Sequence, residues 1–471
     1  MTPKPAVQAP PTDSSARRVR VWFLLIFLTA LMVRVIPLSR PGTEWAKGAN
    51  FWDSNGYIQL ANGMRSGCGF ARRTSLGCSA PELLRTPGYP LFLAAFPNLR
   101  AALAVQALIG ALIPLVAGYP MCLRFGRNAG LLTAALIALD LPSVVWSGQI
   151  MSETLFAFLL TVSVVSQYLM LSPSANSRHP IRSTLFSASF LALAILVKPI
   201  AIALIPVSAG AILLMSQVGW RKRLVLLLVF LAVPTLVVAG WTDRNARTTG
   251  ASTFSAISAK NLYFYRAARV IQYLSHWPTA EVQQFLDRNI DMPEGFSIKS
   301  DGPIRQQSAK AIAQMTAFGR QTLMAHPFTF VKLSMLDFVY LLLTPGLADT
   351  QAVLESRPES PSSSPTQTIK EKVGGLASAS KVVVAAILFH WCLLFVIYVG
   401  VIRAVVLCRG LPLHRIGAIL FPLLIAFVLL AAAAGPEGGA RLRVPAIPLL
   451  SMVAAFGLCC GRFRALTKQG Q

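Results

Sequence analysis

Apolar runs of nearly membrane-spanning length recur from one end of this chain to the other, and that repetition leaves few folds open. An α-helix needs about 20 predominantly apolar residues to cross roughly 30 Å of hydrocarbon. Runs at about 21–38, 101–121, 129–149, 153–171, 185–197, 199–215, 224–240, 382–402, 416–434 and 443–460 approach or reach that length. In lipid a backbone must satisfy its own polar groups, and a helix does so within each segment. With 54% hydrophobic and 13% charged residues over 471 positions, the chain is expected to be an all-α polytopic membrane protein with about ten transmembrane helices, give or take two.

Charge orients the spans. The formal net charge of +25 comes from 43 Lys and Arg against 18 Asp and Glu. A basic balance of this size suggests nucleic acid only when the cations share a soluble face. Here they fall between spans, at Arg124 and Arg127, Arg178 and Arg182, Arg221 to Arg223, Arg403, Arg409 and Arg415, and Arg462, Arg464 and Lys468. That is the positive-inside pattern of cytoplasmic loops, so membrane lipids are expected partners and nucleic acid is not. Arg17, Arg18 and Arg20 precede the first run, and no small-x-small site follows it, which reads as an uncleaved signal anchor in a multi-pass protein of the cytoplasmic (inner) membrane.

The expected organisation is a cytoplasmic tail at 1–20, a transmembrane core at 21–240 that includes a long first outer loop with short helices at 39–100, an extracytoplasmic segment at 241–380, C-terminal helices at 381–460 and a tail at 461–471. Within the third part, Ala309, Ile312, Met315 and Phe318 recur at helical spacing, predicting an amphipathic helix. Pro and Ser dominate 358–367, a composition that builds no core. Lys198-Pro199 splits the 185–215 run at the outer surface. Leu333 to Leu342, which contains Asp337, is expected to be interfacial or re-entrant. Cys68 and Cys78 share the first outer loop and are a candidate disulfide in an oxidising compartment; the remaining cysteines show no metal-ligand spacing.

Candidate chemistry collects on the outer side. Asp53 opens the polar stretch after Phe51 and lies near the start of a short helix on which Tyr57, Leu60 and Ala61 share a face, so its carboxylate is held rather than floating. Glu153 lies at the outer end of a span, where capping and a polar cavity both account for it. Arg85, Lys198, Arg244, Arg441 and Arg443 stand at the outer surface, where the positive-inside bias gives no reason for cations. Each either snorkels to lipid phosphates or converges with the others on one anionic headgroup, a task that suits the planar fork of Arg. Tyr57 and Tyr89 are candidate substrate-positioning side chains. The chain has no Gly-rich nucleotide loop, zinc box or Gly-x-Ser-x-Gly elbow, and its five His residues are scattered.

The order Asp53-x-x-x-Tyr57-x-x-Leu60-Ala61, Arg85-Thr86-Pro87-Gly88-Tyr89-Pro90-Leu91, Ser152-Glu153-x-Leu155-Phe156, Lys198-Pro199, Trp241-x-x-Arg244-Asn245, Asn261-Leu262, His326-Pro327 and Arg441-x-Arg443-x-Pro445-x-x-Pro448 resembles the polytopic glycosyltransferases of the GT-C class, in the branch of protein O-mannosyltransferases and lipid A aminoarabinose transferases. The resemblance implies a GT-C-like fold and transfer of a hexosyl or pentosyl group, with inversion, from a polyprenyl-phosphate-linked sugar donor to a glycolipid, polysaccharide or protein acceptor outside the cytoplasmic membrane. It implies Asp53 as general base, Arg85 as a contact to the lipid phosphate and Glu153 as a second acid. Many relatives have two adjacent acids in the first loop, whereas Trp52 precedes Asp53 here; a divalent metal is therefore left open as a cofactor. A transporter or flippase of lipid-linked sugars is the alternative, with ionisable residues expected near the bilayer midplane.

Overall fold

The computed structural model describes residues 13–35, 52–74, 77–171, 180–216, 218–289, 309–354, 379–436 and 439–460. Most of the N-terminal tail, the opening of the first outer loop, the Pro/Ser-rich stretch at 358–367 and the C-terminal tail lie outside the described residues. The described chain is helical apart from one hairpin. In order it runs α1 (Asp13–Val35), α2 (Trp52–Arg65), β1 (Ala71–Thr74), β2 (Gly77–Pro81), α3 (Gly88–Ala94), α4 (Leu99–Phe125), α5 (Arg127–Ala138), α6 (Leu141–Ser147), α7 (Glu153–Leu171) and α8 (Pro180–Val197). A 3-10 turn, Pro199–Ala203, leads into α9 (Leu204–Met215), followed by α10 (Trp220–Thr249), α11 (Ile257–Lys260), a π-helical segment Asn261–Ala267, α12 (Ala268–Ser275) and α13 (Thr279–Arg288). The remainder is α14 (Ala309–Ala325), α15 (Pro327–Leu343), α16 (Leu347–Leu354), α17 (Lys381–Cys408), α18 (Leu413–Ala433), α19 (Ala440–Arg443), a 3-10 turn Val444–Ala446 and α20 (Ile447–Cys459).

Six helices among the described residues are long and apolar enough to cross a membrane: Leu99–Phe125, Glu153–Leu171, Pro180–Val197, Trp220–Thr249, Lys381–Cys408 and Ala440–Cys459. Counting each of two bent pairs as one span raises the number to at most eight, and Pro199–Met215 and Ile419–Ala433 are shorter apolar helices. The expected span at 129–149 is one of the bent pairs, turning by 55° between α5 and α6. Asp140 causes the break: its carboxylate accepts from the Ser143 amide at 2.9 Å, capping a new helix with a proline in its first turn.

Helix α10 has 30 residues, about 45 Å at 1.5 Å per residue. It outruns the hydrocarbon, so Trp241, Arg244 and Asn245 stand beyond the apolar run. Helices α14 and α15 turn through 99° at His326, consistent with a re-entrant or interfacial segment. Asp337 in α15 is matched by Arg269, 3.6 Å away. On α14, Ala311 and Met315 are buried against Tyr263, Phe264, Val282 and Leu286, with Ile312 and Phe318 packed alongside. The amphipathic face thus covers a small second core rather than remaining free.

The first loop departs from a purely helical reading. Strands β1 and β2 pair antiparallel, and Cys68 and Cys78 are bonded to each other, tying the base of the hairpin to its second strand. Arg72 reaches Glu82 at 3.3 Å and Gln59 at 3.0 Å. Glu82 in turn accepts from the Leu84 amide at 2.9 Å and the Arg85 amide at 3.3 Å. The hairpin therefore fixes the backbone that presents Arg85.

Small residues set the closest helix contact. A Cβ on Gly400 of α17 would lie 2.7 Å from the Ala454 carbonyl oxygen, and one on Gly457 of α20 would collide with the Gly400 carbonyl. Such approach is how membrane helices gain van der Waals contact. Gly457→Val is expected to lower the thermal midpoint of the detergent-solubilised protein, at a cost of about 1–3 kcal/mol or more. Gly240→Val, at a position open to surroundings, should leave the midpoint nearly unchanged in the same melt.

Candidate functional site

One end of the bundle gathers the polar side chains. Helix α7 starts there with Glu153 and α8 finishes there before Lys198. Helices α2, α3 and α19 lie across the same end. Asp53 is in the first turn of α2, where the helix dipole favours a carboxylate. Arg85 follows β2 in a bend shaped by Glu82, and Arg441 sits on the four-residue α19.

Five of the candidates form a single alternating ionic chain. Arg85 Nη2 donates to Asp53 Oδ1 at 3.1 Å, and Arg441 Nη1 donates to Asp53 Oδ2 at 3.3 Å. Arg441 Nε lies 3.7 Å from Glu153 Oε1, the same oxygen that accepts from Lys198 Nζ at 2.8 Å. Segments far apart in sequence thus meet through charge. The Glu153 side chain is 1% exposed and that of Asp53 42%, so Asp53 is the open acid of the two and Glu153 the buried one.

The field on Asp53 is strongly positive. Desolvation pushes its carboxyl up, but Arg441, Arg85, Lys260 and Lys198 outweigh this and bring the pKa down to about 2. It remains a carboxylate at any ordinary pH. Tyr57 is pushed the other way, to about 12, by desolvation and by the Asp53 charge, and stays a neutral phenol.

Tyrosines hold the apolar side of the site. The Tyr57 hydroxyl is 3.3 Å from Ser152 Oγ, its ring packs edge-on against Tyr89 at 4.8 Å, and the Arg85 guanidinium lies 5.1 Å from its centre. Tyr89 donates to Gln106 Oε1 at 2.8 Å, and Gln106 Nε2 donates to the carbonyls of Ser147 at 3.0 Å and Gln149 at 2.6 Å. This buried relay locks α3, α4 and the turn before α7 together. Two glycines permit the approach: a Cβ on Gly56 would collide with the Arg85 guanidinium, and one on Gly88 would lie 2.7 Å from the Leu196 carbonyl oxygen.

The other two cations are placed elsewhere. Arg244 stacks over Trp241 at 5.0 Å and Phe70 at 5.6 Å and donates to Asn245 Oδ1 at 2.9 Å. It also donates to the Glu82 carbonyl at 3.4 Å, which braces the hairpin against α10 and places Arg244 beside the site. Arg443 is fully buried and donates to the carbonyls of Leu341, Leu342 and Thr344 at 2.8, 2.8 and 2.9 Å, with His390 Nε2 at 3.0 Å. Its guanidinium closes the end of α15 by taking up these carbonyls.

Two charged residues join the site without having been singled out from sequence. Asp349 on α16 is raised to about 6 by burial, with Arg441 lowering it and Glu153 raising it. Its neighbour Gly346 has φ +76 and packs against Ala440, the residue before Arg441. Lys260 acts on Asp53 from the end of α11. The Asn261-Leu262 pair beside it was the only sequence signal; Asp349 had none. Asp53 and Glu153 face cations rather than each other, and among the described residues no group of three or more His, Cys, Asp or Glu side chains is arranged to hold a metal ion.

No family model matches the sequence, and no curated protein matches it either. Among solved structures the chain is similar to the archaeal oligosaccharyltransferase AglB from Archaeoglobus fulgidus in complex with an inhibitory peptide and a dolichol-phosphate, at 15% identity and a TM-score of 0.50, over 97% of this chain and 52% of that one. The chain therefore spans about half the length of that neighbour. ArnT from Cupriavidus metallidurans bound to undecaprenyl phosphate is also similar, at 15% identity and a TM-score of 0.38, over 96% of this chain and 78% of that one. The chain shares the polytopic helical fold of the archaeal neighbour.

Proposed function

We propose that the chain is an integral membrane glycosyltransferase that moves a sugar from a polyprenyl-phosphate donor to an acceptor hydroxyl, with inversion, on the extracytoplasmic side of the cytoplasmic membrane. The observation that carries this reading is Asp53, the exposed acid of the ionic chain, held between Arg85 and Arg441. The fold shared with the archaeal neighbour supports it, as does that neighbour's bound dolichol-phosphate. The charged chain joins helix ends rather than helix middles, which favours transfer at a membrane surface over transport.

The chemistry follows from that geometry. Without donor, Asp53 occupies the guanidinium groups of Arg85 and Arg441. A donor phosphate competes for the same donors, draws them off the carboxylate and so restores its basicity. Asp53 then takes the proton of the acceptor hydroxyl as its oxygen attacks the anomeric carbon. The bond from that carbon to the phosphate oxygen breaks, and the lipid phosphate leaves as a monoester whose second pKa is about 6, so it needs cations and no general acid. Lys198 and Glu153 keep Arg441 aimed from below. The acceptor is a hydroxyl of a glycolipid, a polysaccharide or a protein.

Asp53→Asn is expected to leave the protein inserted and folded while lowering transfer by about 10²–10⁴-fold, the usual worth of a positioned base. Radiolabelled polyprenyl-phosphate sugar with purified enzyme measures it, and near wild-type turnover would remove Asp53 as the base. Gly56→Ala should displace the Arg85 guanidinium and raise KM for donor with little change in the melting midpoint; an unchanged KM refutes the close approach as a determinant of binding. For pH, kcat/KM reports groups of the free enzyme. Asp53, held at about 2, contributes no acid limb above pH 4 or so. Asp349, raised to about 6, loses its negative charge as pH falls through that value. A limb near pH 6 should therefore appear in the wild type and vanish in Asp349→Asn, and its persistence in the variant would reassign it.

A further inference from the structure

Three of the four cations around Asp53 are already engaged. Arg85 and Arg441 hold Asp53, and Lys198 holds Glu153. Lys260 is the fourth. No hydrogen bond or ion pair joins its ammonium to any described residue, although its charge acts on Asp53.

Its position is fixed by the backbone. The Ala256 amide donates to the Leu83 carbonyl at 2.8 Å, and Ser255 Oγ donates to the Leu84 carbonyl at 2.6 Å. Ala256 is buried against Leu83 and Ala251. The Lys260 amide donates to the Ala256 carbonyl at 3.0 Å, which puts Lys260 one helical turn, about 5.4 Å of rise, beyond the segment that ends in Arg85. Immediately afterwards the helix widens into the π-helical segment Asn261–Ala267, a geometry that occurs often at functional sites. Tyr263 and Phe264 of that segment are buried, so the backbone that carries Lys260 is anchored on its far side as well.

We propose that Lys260 is the cation that captures the donor phosphate, closing on it together with Arg85 from the two sides of the Leu83–Leu84 contact. The proposal rests on the transferase reading above. Asp53, Glu153 and Asp349 set three acids against four cations, so a positive charge is left over even with every acid ionised. A sugar phosphodiester brings one negative charge to match it. As the sugar departs, the phosphate gains a second negative charge, and an ammonium on a long stem, paired with no carboxylate among the described residues, can follow that charge without first leaving an acid. Lys260 is thus a binding residue for the leaving group.

The test is the affinity of purified protein in detergent for undecaprenyl monophosphate, compared across wild type, Lys260→Gln, Lys260→Arg and Arg85→Ala. Lys260→Gln is expected to weaken binding by about tenfold or more, the worth of one charged hydrogen bond, and Lys260→Arg to restore most of it. A KM raised more than kcat is lowered in Lys260→Gln, at unchanged melting midpoint, would separate binding from a structural role. Wild-type affinity in Lys260→Gln with weakened binding in Arg85→Ala overturns the role of Lys260 and leaves the transferase reading standing. Failure of the wild type to bind undecaprenyl monophosphate overturns both.

Discussion

The ionic chain from Arg85 through Asp53, Arg441 and Glu153 to Lys198 is the constraint around which the rest of the structure is arranged. Removing charges from water is costly, and mutual attraction repays that cost only when the partners are well placed. Glu153 is almost wholly buried, so its charge depends on Lys198 at 2.8 Å and Arg441 at 3.7 Å. Those partners come from the end of α8 and from α19, which obliges three separate helix termini to meet. Bundle topology and site geometry are therefore a single requirement.

The neutral framework explains how the charges stay apart from one another's wrong partners. Gln106, deep in α4, spends its amide on the carbonyls of the turn before α7 and its oxygen on Tyr89. Tyr89 then supports Tyr57, and Tyr57 lies beneath Arg85. From the other side, Arg72 and Glu82 fix the backbone entering Arg85, with Cys68 bonded to Cys78 at the base of that hairpin. Arg85 is thus set by polar groups above and an aromatic wall below. The carboxylate it meets is that of Asp53.

Much of this was legible in the residues. Hydropathy gave the polytopic helical class, because a backbone in lipid has few ways to pair its polar groups. Acids and bases at span ends away from the basic loops marked the candidate site, because a charge with no topological reason to be there needs a chemical one. The short hairpin escaped, since four or five residues with two arginines carry no alternating apolar pattern. The break at Asp140 escaped too: one capping residue inside an apolar run does not interrupt the average that reveals a span. Asp349 was invisible because its closeness to Arg441 comes from Gly346 turning α16 onto Ala440, a contact between segments that sequence cannot pair.

Arg441 and Arg443 show most clearly where reading by type ends. Both are arginines, both precede an apolar helix, and the spacing Arg-x-Arg invites a shared role. On a helix, however, positions two apart point about 200° from each other and do not face one site. Arg441 turns toward Asp53 and Glu153, while Arg443 turns inward to the carbonyls that end α15 and to His390. The second arginine anchors the four-residue helix that aims the first. Without it α19 would have little hold on α15, and the guanidinium that bridges the two acids would lose its bearing. A pair that looks redundant in sequence is one bridge between two acids and one mount.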